Sequence, residues 1–303
     1  MAVSIVEAAP AKINLFLHVG PRRADGFHPL QSLAVFTDAG DRLAVSPADN
    51  LTLTVEGPFA SQLADEDDNL VLRAAKALGG PGRSAALTLT KNLPVASGIG
   101  GGSSDAAAAL RGLSRLWALP ETDSLHAIAI GLGSDVPACI DCVPCFMEGR
   151  GEILTPAVRM PRLAMLLVNP GAKVPTRDVF AALTKGRGTD MRLPTGGFAD
   201  TADLLRFLEA TGNDLEMPAR DIEPAVAAVL EGLKSLPGAL LARMSGSGAT
   251  CFAIFADDES CARAAAKLRA AHPGWWIVPT FVPARGISPE EPGQDIGPSP
   301  EGL

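Results

Sequence analysis

A glycine-rich loop that runs directly into a strong helix-forming segment places the tightest limit on how this chain can fold. Residues 94–110 read Pro-Val-Ala-Ser-Gly-Ile-Gly-Gly-Gly-Ser-Ser-Asp-Ala-Ala-Ala-Ala-Leu. The glycines let the backbone approach a ligand closely and adopt positive φ, so that successive N–H groups can converge on an anion. Ser103, Ser104 and Asp105 are good N-cap residues, and alanine has the highest helix propensity. The pattern predicts an anion site at the positive end of a helix dipole.

Three common motifs do not fit this loop. A Walker A loop ends in Gly-Lys-Ser/Thr, and no lysine follows these glycines. The dinucleotide fingerprint needs a third glycine where Ser103 stands, and the chain contains no Gly-x-Ser-x-Gly nucleophile elbow. A flexible loop without a ligand is the remaining alternative, although flexible linkers do not normally lead straight into an alanine-rich helix.

The composition is that of an ordinary globular protein with room for two domains. Of the 303 residues, 47% are hydrophobic and 20% are charged. A net charge of −8 argues against a nucleic-acid or anionic-membrane surface, but it allows a local basic site for a phosphorylated ligand. Residues 1–17 lack the basic start of a signal peptide, and apolar runs such as residues 163–168 are too short to span a bilayer. We therefore expect a cytoplasmic protein.

Three of the five cysteines are regularly spaced. Cys139, Cys142 and Cys145 form a Cys-x-x-Cys-x-x-Cys run, which could begin a set of iron–sulfur ligands. The ferredoxin spacing would require a fourth cysteine at the position of Gly149. An odd number of cysteines does not suggest a disulfide framework, so we favour small buried hydrophobic residues and keep the metal cluster as the alternative.

Alternation and helical periodicity predict an N-terminal domain over residues 1–158. Residues 4–19 form a strand interrupted at Pro10, with Lys12, Asn14, Phe16 and His18 on one face and the odd-numbered apolar residues on the other. Further strands are predicted at 30–36, 42–46, 51–55, 84–90 and 143–147. Helices are predicted at 69–78, capped by the acidic residues 65–68, from the glycine loop to about 119, and at 122–132.

A second α+β domain is predicted over residues 159–284. Its predicted strands are 163–169, 240–244, 250–255 and 276–282, and its predicted helices are 176–183, 201–210, 222–236 and 259–271. A connector rich in glycine and threonine covers residues 185–199, and a second glycine turn covers residues 245–249. Residues 285–303 are rich in proline, glycine and acidic side chains, which predicts a disordered tail.

Four side chains outside the glycine loop are candidates for chemistry or recognition. Lys12 lies on a strand face and Asp135 in a tight turn before a proline, where a solvated lysine and a simple turn cap are the alternatives. Phe27 and His28 lie in a turn-rich loop, where recognition and plain core packing are equally compatible with the sequence.

Three separated motifs together resemble the GHMP kinases, the family of galactokinase, homoserine kinase and mevalonate kinase. They are Pro-Ala-Lys-Ile-Asn-Leu at residues 10–15, the glycine loop at residues 94–105, and Met-Ser-Gly-Ser-Gly-Ala-Thr at residues 244–250. Arg-Ala-Asp-Gly-Phe-His at residues 23–28 and Leu-Gly-Ser-Asp-Val-Pro at residues 132–137 are similar to signatures of the members that act on a cytidine-diphosphate methylerythritol. The resemblance covers about residues 8–283.

The resemblance implies an α+β GHMP kinase two-domain fold, with a ribosomal protein S5 domain 2-like N-terminal domain and a ferredoxin-like C-terminal domain. It implies transfer of the γ-phosphoryl group of ATP, with Mg²⁺, to the 2-hydroxyl of that small-molecule substrate in non-mevalonate isoprenoid biosynthesis. Another acceptor alcohol (homoserine, mevalonate or a sugar) and a non-catalytic nucleotide-binding protein stay open as alternatives. We expect no nucleic-acid or membrane partner, and a monomer or weak homodimer.

The resemblance also implies a role for each matching residue. Asp135 would accept the hydroxyl proton, and Lys12 would steady Asp135 and the developing charge. ATP contacts are implied for Asn69, Lys91, Pro94, Val95, Ala96, Ser97, Gly98, Ile99, Gly100, Gly101, Gly102, Ser103 and Ser104, with Mg²⁺ carried by ATP and Ser104 as its candidate protein ligand. Substrate contacts are implied for Asn14, Phe27, His28, Thr176, Phe180, Gly246, Ser247 and Gly248.

Two residues depart from the family pattern. Phe27 stands where tyrosine is usual, in a chain without any tyrosine, so stacking on a base is kept and a hydroxyl hydrogen bond is lost. Ser97 stands where glycine or alanine is commoner, which would alter one phosphate contact.

Overall fold

The first half of the chain folds around a mostly antiparallel sheet. The computed structural model describes residues 4–24, 26–63, 69–80, 82–119, 123–157 and 159–284. The sheet has the order β3-β4-β2-β5-β6, with β1 paired to β2 and only β3–β4 parallel. Its strands are β1 (Ile5–Val19), β2 (Leu30–Ser46), β3 (Thr52–Glu56), β4 (Ala86–Thr90), β5 (Cys145–Glu148) and β6 (Ile153–Pro156).

The two strands predicted at 30–36 and 42–46 are one continuous strand, β2. It stays extended because β1 pairs with it along almost its whole length, from Ile5 opposite Val45 to Val19 opposite Leu30. Gly40 permits the close approach in the middle, since a Cβ there would lie 2.6 Å from the Ala9 carbonyl oxygen. Long-range pairing therefore overrides the local break in the pattern.

The simple alternation predicted for β1 is wrong after Asn14. The register shifts between Asn14 and Phe16, which indicates a β-bulge. As a result Phe16 packs in the same hydrophobic cluster as Ile13 and Leu15, whereas Leu17 packs in a different one. A bulge changes which face a side chain occupies, and nothing in the local sequence marks it.

Helices cover this sheet and bury the alanine run. They are α1 (Leu70–Gly79), α2 (Gly101–Leu116), α3 (Asp123–Leu132) and the short α4 (Val136–Asp141), which the sequence did not predict. Residues 106–109 of α2 are fully buried, so their small side chains allow close packing of helix on sheet. The N-cap of α2 is Gly100 and not one of the residues 103–105. Asn69 caps α1, and the acidic residues 65–68 lie outside the described residues.

The second half forms an antiparallel sheet of order β10-β7-β9-β8. Numbered within this half, the order is 4-1-3-2, which is the ferredoxin-like arrangement. Its elements are β7 (Leu163–Asn169), α5 (Thr176–Ala182), α6 (Thr201–Glu209), α7 (Glu216–Ile222), α8 (Pro224–Lys234), β8 (Leu241–Met244), β9 (Cys251–Phe255), α9 (Asp258–Ala271) and β10 (Trp276–Val282).

Two sequence predictions for this half need comment. The helix predicted at 222–236 begins at Pro224, the N1 position, and α7 precedes it as a separate helix that the sequence did not predict. The predicted tail, residues 285–303, lies outside the described residues. No helix in the described ranges is long and apolar enough to cross a membrane.

The two halves share a hydrophobic core. One cluster joins Ile13 and Leu15 of the first sheet to Met165 and Phe252 of the second. The predicted division near residue 158 falls between β6, the last strand of the first sheet, and β7, the first strand of the second. Strand β1 thus lies against both sheets, and its polar residues reach the junction between them.

Candidate active site

A cleft of about 1550 Å³ lies at the junction of the two halves, and most of the predicted site residues line it. Its walls come from β1, the glycine loop, the turn before α4, α5 and the second glycine turn. The predicted residues that line it are Lys12, Asn14, Phe27, His28, Asn69, Lys91, residues 94–98 and 100–103, Asp135, Thr176, Phe180, Gly246 and Ser247. Ile99, Ser104 and Gly248 do not line it.

Most backbone N–H groups of the glycine loop have no acceptor among the described residues. Gly98 and Gly100 have φ of 75° and 65°, the left-handed region that favours glycine. Among the described residues, no acceptor is found for the N–H groups of residues 96–103, and Ser104 N is the next donor, to Gly100 O at 2.9 Å. A helix alone leaves only about four such groups free. The loop and the start of α2 therefore form an extended set of donors.

The second glycine turn locks the loop in place. Ser245 Oγ donates to Gly98 O at 3.0 Å, and Thr250 N donates to Ser97 O at 3.1 Å. The contact is too close for side chains, since a Cβ on Gly98 would lie 2.6 Å from Ser245 O and one on Gly246 would lie 2.6 Å from Gly98 O. The two glycine motifs, far apart in sequence, make one interlocked structure.

Some polar groups of the glycine loop form hydrogen bonds to other protein groups and do not face the cleft. The Ser97 hydroxyl donates to Pro94 O at 2.6 Å and so closes the loop internally, while the altered phosphate contact expected at Ser97 stays a prediction. Val95 N donates to the side chain of Gln62 at 3.1 Å. The Ile99 side chain is fully buried, and its carbonyl accepts from Lys12 N at 2.9 Å.

Lys91 belongs to a buried ion-pair triad. Its ammonium donates to Asp41 and, at 2.7 Å, to Asp105 in the first turns of α2. Asp41 Oδ1 also accepts from the N–H groups of Asn92 and Leu93, so it anchors the chain that enters the loop. Lys91 still borders the cleft, and its Nζ lies beside the loop, since a Cβ on Gly101 would be 3.1 Å from it. Residues 91–105 form what we call the loop end of the cleft.

The triad holds two carboxylates against a single cation. Burial raises the pKa of Asp105 to about 7, and its Oδ1 has no hydrogen-bond partner among the described residues. Burial alone would lower the pKa of Lys91, but Asp105 and Asp41 outweigh it and raise this pKa above its ordinary value. Asn69, the other residue expected near adenosine, borders the cleft while its side chain accepts from Val71 N to cap α1.

Lys12 and Asp135 meet in the middle of the cleft. Lys12 Nζ lies 2.9 Å from Asp135 Oδ2, with the Lys12 side chain 4% exposed and the Asp135 side chain 38% exposed. Asp135 is the N-cap residue of α4, but its side chain makes no cap hydrogen bond, so the turn-cap alternative does not apply. The backbone of Lys12, in β1, is fixed by the hydrogen bond from its N–H to Ile99 O in the glycine loop. The pair thus joins a fixed cation to an accessible carboxylate.

Aromatic side chains occupy the other end. Phe27 is 49% exposed, and the His28 ring lies 6.0 Å from the Phe180 ring, centroid to centroid. His28 Nδ1 is 2.9 Å from Gly20 O, and because a carbonyl can only accept, Nδ1 carries the proton. The Arg150 guanidinium lies over the Phe27 ring, 4.1 Å from its centroid. Phe27, His28, Arg150 and Phe180 form what we call the aromatic end.

The remaining predicted substrate residues tie the elements together. Asn14 Nδ2 donates to Ser32 Oγ at 2.7 Å, and Asn14 N donates to Ser245 Oγ at 3.1 Å. The Thr176 and Ser247 hydroxyls are 2.8 Å apart, which connects α5 to the second glycine turn. These contacts connect β1 to Ser245 and α5 to the second glycine turn.

Sequence reasoning missed three contributors to the site. Asp41 gave no local signal, because its partners are about 50 positions or more away along the chain. Ser245 precedes the residues assigned in the second turn, and the motif itself could have suggested it. Arg150 stands between two glycines in the β5–β6 turn, a position that could have marked an exposed functional loop.

All five cysteines are buried free thiols. Cys139 lies within α4 and Cys142 is the C-cap residue of this helix, and the Cys142 thiol donates to Cys139 O at 3.1 Å. Burial raises the pKa of Cys145 to about 12 and that of Cys139 well above its ordinary value. Cys139, Cys142 and Cys145 pack as small hydrophobic residues in the core of the first half.

Two family descriptions match this chain. Residues 69–149 match the GHMP kinases N terminal domain, and residues 193–274 match the GHMP kinases C terminal domain. A curated 4-diphosphocytidyl-2-C-methyl-D-erythritol kinase of Cereibacter sphaeroides is 52% identical over 272 residues, which is 89% of this chain and 96% of the relative. The chain belongs to the GHMP kinases.

Solved GHMP kinases have the same fold. A crystal structure of 4-(cytidine 5'-diphospho)-2C-methyl-D-erythritol kinase superposes with a TM-score of 0.74 at 33% identity, covering 92% of this chain and all of the other. L. major mevalonate kinase in complex with R-mevalonate superposes with a TM-score of 0.67 at 18% identity, covering 93% and 96% of the two chains. At that identity the likeness concerns the fold alone.

The matched GHMP kinase regions leave part of the site uncovered. The matched N-terminal region contains the glycine loop, Lys91 and Asp135, but Lys12, Phe27 and His28 precede it. The likeness to the kinase of Cereibacter sphaeroides extends over 272 residues, well beyond the two matched regions. The matched GHMP kinase regions therefore include the loop end, Asp135 and the second glycine turn, but not Lys12, Phe27 or His28.

Proposed function

We propose that this kinase transfers the γ-phosphoryl group of ATP to the 2-hydroxyl of 4-diphosphocytidyl-2-C-methyl-D-erythritol, in non-mevalonate isoprenoid precursor biosynthesis. The observation that carries the proposal is the Lys12–Asp135 pair, which lies in one cleft with the free N–H groups of the glycine loop and with the aromatic end. A protein that only bound a nucleotide would need no proton acceptor at this junction. The names of the relatives support the same acceptor.

The loop end would bind the triphosphate. The N–H groups of residues 96–103 have no protein acceptor among the described residues, and they stand at the positive end of α2. Because the second glycine turn fixes the loop, these donors would need little rearrangement when ATP binds. The Lys91 ammonium is committed to internal bonds and would shape the wall beside the adenosine, whereas the cap of α1 uses only the Oδ1 of Asn69, so its Nδ2 could donate to the nucleotide.

Phosphoryl transfer would then proceed at the Lys12–Asp135 pair. The acceptor hydroxyl oxygen forms a bond to the γ-phosphorus, the bond to the β–γ bridging oxygen breaks, and ADP leaves with that electron pair. The hydroxyl proton passes to the Asp135 carboxylate, which is accessible from the cleft. Lys12 would hold Asp135 in place and stabilise negative charge that develops on the transferred group.

The aromatic end would bind the cytosine. Phe27 offers an exposed ring for stacking, and Phe180 lines the same part of the cleft. With its proton on Nδ1, a neutral His28 presents Nε2 as an acceptor. The exocyclic amine of cytosine is a donor at the position where uracil has an acceptor, so His28 would favour cytosine.

Magnesium fits the site only as a partner of the bound nucleotide. No group of three or more histidine, cysteine, aspartate or glutamate side chains in the described ranges could hold a metal ion. Ser104 Oγ, in the first turn of α2, is buried and has no described hydrogen-bond partner, which would leave it available as a protein ligand, but Ser104 does not line the cleft. When bound, Mg²⁺ would neutralise charge on the β- and γ-phosphates.

Another alcohol acceptor is the second candidate, since mevalonate kinase shares the fold. The aromatic end argues against it, because homoserine, mevalonate and sugars contain no base to stack on Phe27. A cytoplasmic location and a monomer or weak homodimer stay predictions.

The test measures ADP release with ATP, Mg²⁺ and each acceptor in parallel: the cytidine-diphosphate methylerythritol, homoserine, mevalonate and galactose. We expect turnover only with the first. Good turnover on another acceptor with none on the first would overturn the assignment of the acceptor, and no turnover on any would overturn the assignment as a kinase of these alcohols.

A further inference from the structure

Arg150 lies where the cleft passes from the aromatic end to the catalytic pair. It is in the turn between β5 and β6, flanked by Gly149 and Gly151, whose φ values are 71° and 115°. The turn is fixed by bonds from Leu30 N to Gly149 O at 2.8 Å and from Arg150 N to Glu152 at 2.6 Å. The backbone position of Arg150 is thus well defined although its side chain is exposed.

The turn that carries Arg150 lies close to both Phe27 and Asp135. The Arg150 guanidinium carbon is 4.1 Å from the centroid of the Phe27 ring. A Cβ on the next residue, Gly151, would lie 3.5 Å from Asp135 Oδ1. A ligand that stacks on Phe27 and offers a hydroxyl to Asp135 must therefore pass beside Arg150.

No described acidic group neutralises Arg150. No carboxylate in the described ranges forms an ion pair with its guanidinium, whereas Arg187, another cation of the cleft, pairs with Asp214 at 3.3 Å. Arginine stays charged at all ordinary pH values, stacks on aromatic rings and binds phosphate oxygens through two parallel hydrogen bonds. A guanidinium resting on an aromatic ring can therefore keep that contact while its N–H groups bind an anion.

We propose that Arg150 binds the diphosphate of the acceptor and thereby fixes the distance between the base on Phe27 and the hydroxyl at Asp135. The inference rests on the proposed function, because that acceptor has a base at one end, a hydroxyl at the other and a diphosphate between them. Nothing else so far assigned in the site neutralises this diphosphate. Arg150 is thus a specificity-determining residue, since an acceptor without a diphosphate gains nothing from it.

The experiment compares the binding of cytidine and of cytidine diphosphate by calorimetry, with the full chain and without ATP. The ratio of the two dissociation constants measures what the diphosphate contributes. We expect Arg150→Met to reduce this ratio roughly 10- to 100-fold, the usual effect of losing hydrogen bonds between charged groups. Arg150→Lys keeps the charge but loses the planar fork, so we expect an intermediate ratio.

Arg177→Met is the matched control. Like Arg150, Arg177 lines the cleft and forms no ion pair among the described residues. Unlike Arg150, its guanidinium does not lie over the Phe27 ring. Its loss removes the same charge, and we expect the ratio to stay within about threefold of the original, as for a screened charge at a distance. An equal drop in both methionine variants would mean a general effect of cleft charge and would overturn the proposal.

Steady-state kinetics supply the second readout. We expect Arg150→Met to raise KM for the acceptor while kcat and KM for ATP stay within about threefold. An unchanged binding ratio, or a rise in KM for ATP alone, would overturn the proposal. If the original chain binds neither cytidine nor cytidine diphosphate, the proposed acceptor itself is wrong and this inference falls with it. Arg150→Lys keeps the test decisive if the methionine variant does not fold.

Discussion

The loop end and the aromatic end of the cleft are built in opposite ways. The loop end is made of backbone N–H groups, held by the second glycine turn and by the buried triad around Lys91. The aromatic end is made of partly or largely exposed side chains, with Phe27 half exposed and Arg150 resting on it. A phosphate chain is common to all ATP-dependent kinases and can be bound by fixed backbone, whereas an acceptor must be distinguished by side chains.

This contrast predicts that substitutions at the two ends will affect different quantities. Changes at the loop end should alter stability and nucleotide binding together, because the donors are part of the internal framework. Changes at the aromatic end should alter acceptor binding with little effect on folding. Asp135, at the junction, should affect the chemical step itself.

Asp135→Asn should have the largest effect. We expect kcat to fall roughly 10²- to 10⁴-fold, the range for loss of a general base, because an amide cannot accept the hydroxyl proton. The dissociation constant of ATP should change little, since Asp135 lies outside the loop. Steady-state kinetics and calorimetry with ATP provide the measurements, and an unchanged kcat would remove the role of Asp135 as base.

Gly98→Ala should destabilise the loop end by about 3 kcal/mol, which combines an unfavourable positive φ with a steric overlap. The added Cβ would lie 2.6 Å from Ser245 O and 2.7 Å from Gly248 N. Urea denaturation and ATP calorimetry should show lower stability and weaker ATP binding together. Gly80→Ala is the control, because Gly80 has φ of 62° but nothing within 4 Å of a Cβ. Equal losses of stability in the two variants would show that the interlock contributes nothing.

Phe27→Ala should raise KM for the acceptor roughly tenfold, the usual contribution of stacking between a base and an aromatic ring. Phe27→Tyr is the matched control and should keep KM within about threefold, because the ring is retained. Thermal denaturation of both variants should resemble that of the original chain, since the side chain is 49% exposed. A large loss of stability in Phe27→Ala would contradict the contrast between the two ends.

Asp105→Asn should change the pH dependence of stability. The pKa of Asp105 is raised to about 7 in the folded chain, from an ordinary value of 3.8. Between these values the folded chain keeps a proton that the unfolded chain has lost, so stability falls as pH rises from about 4 to about 7. The asparagine variant should lose this component, at most about 1.4 kcal/mol per pH unit.

Urea denaturation at several pH values between 5 and 8 measures the difference between the two chains. Asp38→Asn, which removes an exposed carboxylate from β2, is the control. If the difference in stability between the original chain and Asp105→Asn is the same at every pH, the buried carboxylate does not titrate in this range.

The sequence predicted the presence of elements well where local chemistry determines them. Residues 276–282 were predicted as a strand and form β10, and the glycine loop does lead into a helix that starts beside an anion-ready backbone. The resemblance to GHMP kinases predicted that Lys12 and Asp135 act together, although alternation alone gave no reason for their contact. The structure places them 2.9 Å apart.

Long-range contacts account for what the sequence did not predict. The bulge after Asn14 depends on pairing with β2, and the anchoring of the loop depends on Asp41, about 50 positions away. The N-cap residue of α2 is Gly100 and not one of the serines, because the positive φ at the end of the loop suits glycine. Such features arise from close packing between distant segments, and a single sequence carries no direct signal of them.

The interlock of the two glycine motifs has a consequence for how the chain becomes active during its synthesis. The bond from Ser245 to Gly98 spans 147 positions, and the bond from Thr250 to Ser97 is equally remote. The glycine loop therefore emerges from the ribosome long before the second glycine turn that locks it, and until then its contacts within the first half, such as the triad around Lys91, are those available to hold it. The cleft is therefore completed only after residues 245–250 have been synthesised and have packed against the loop.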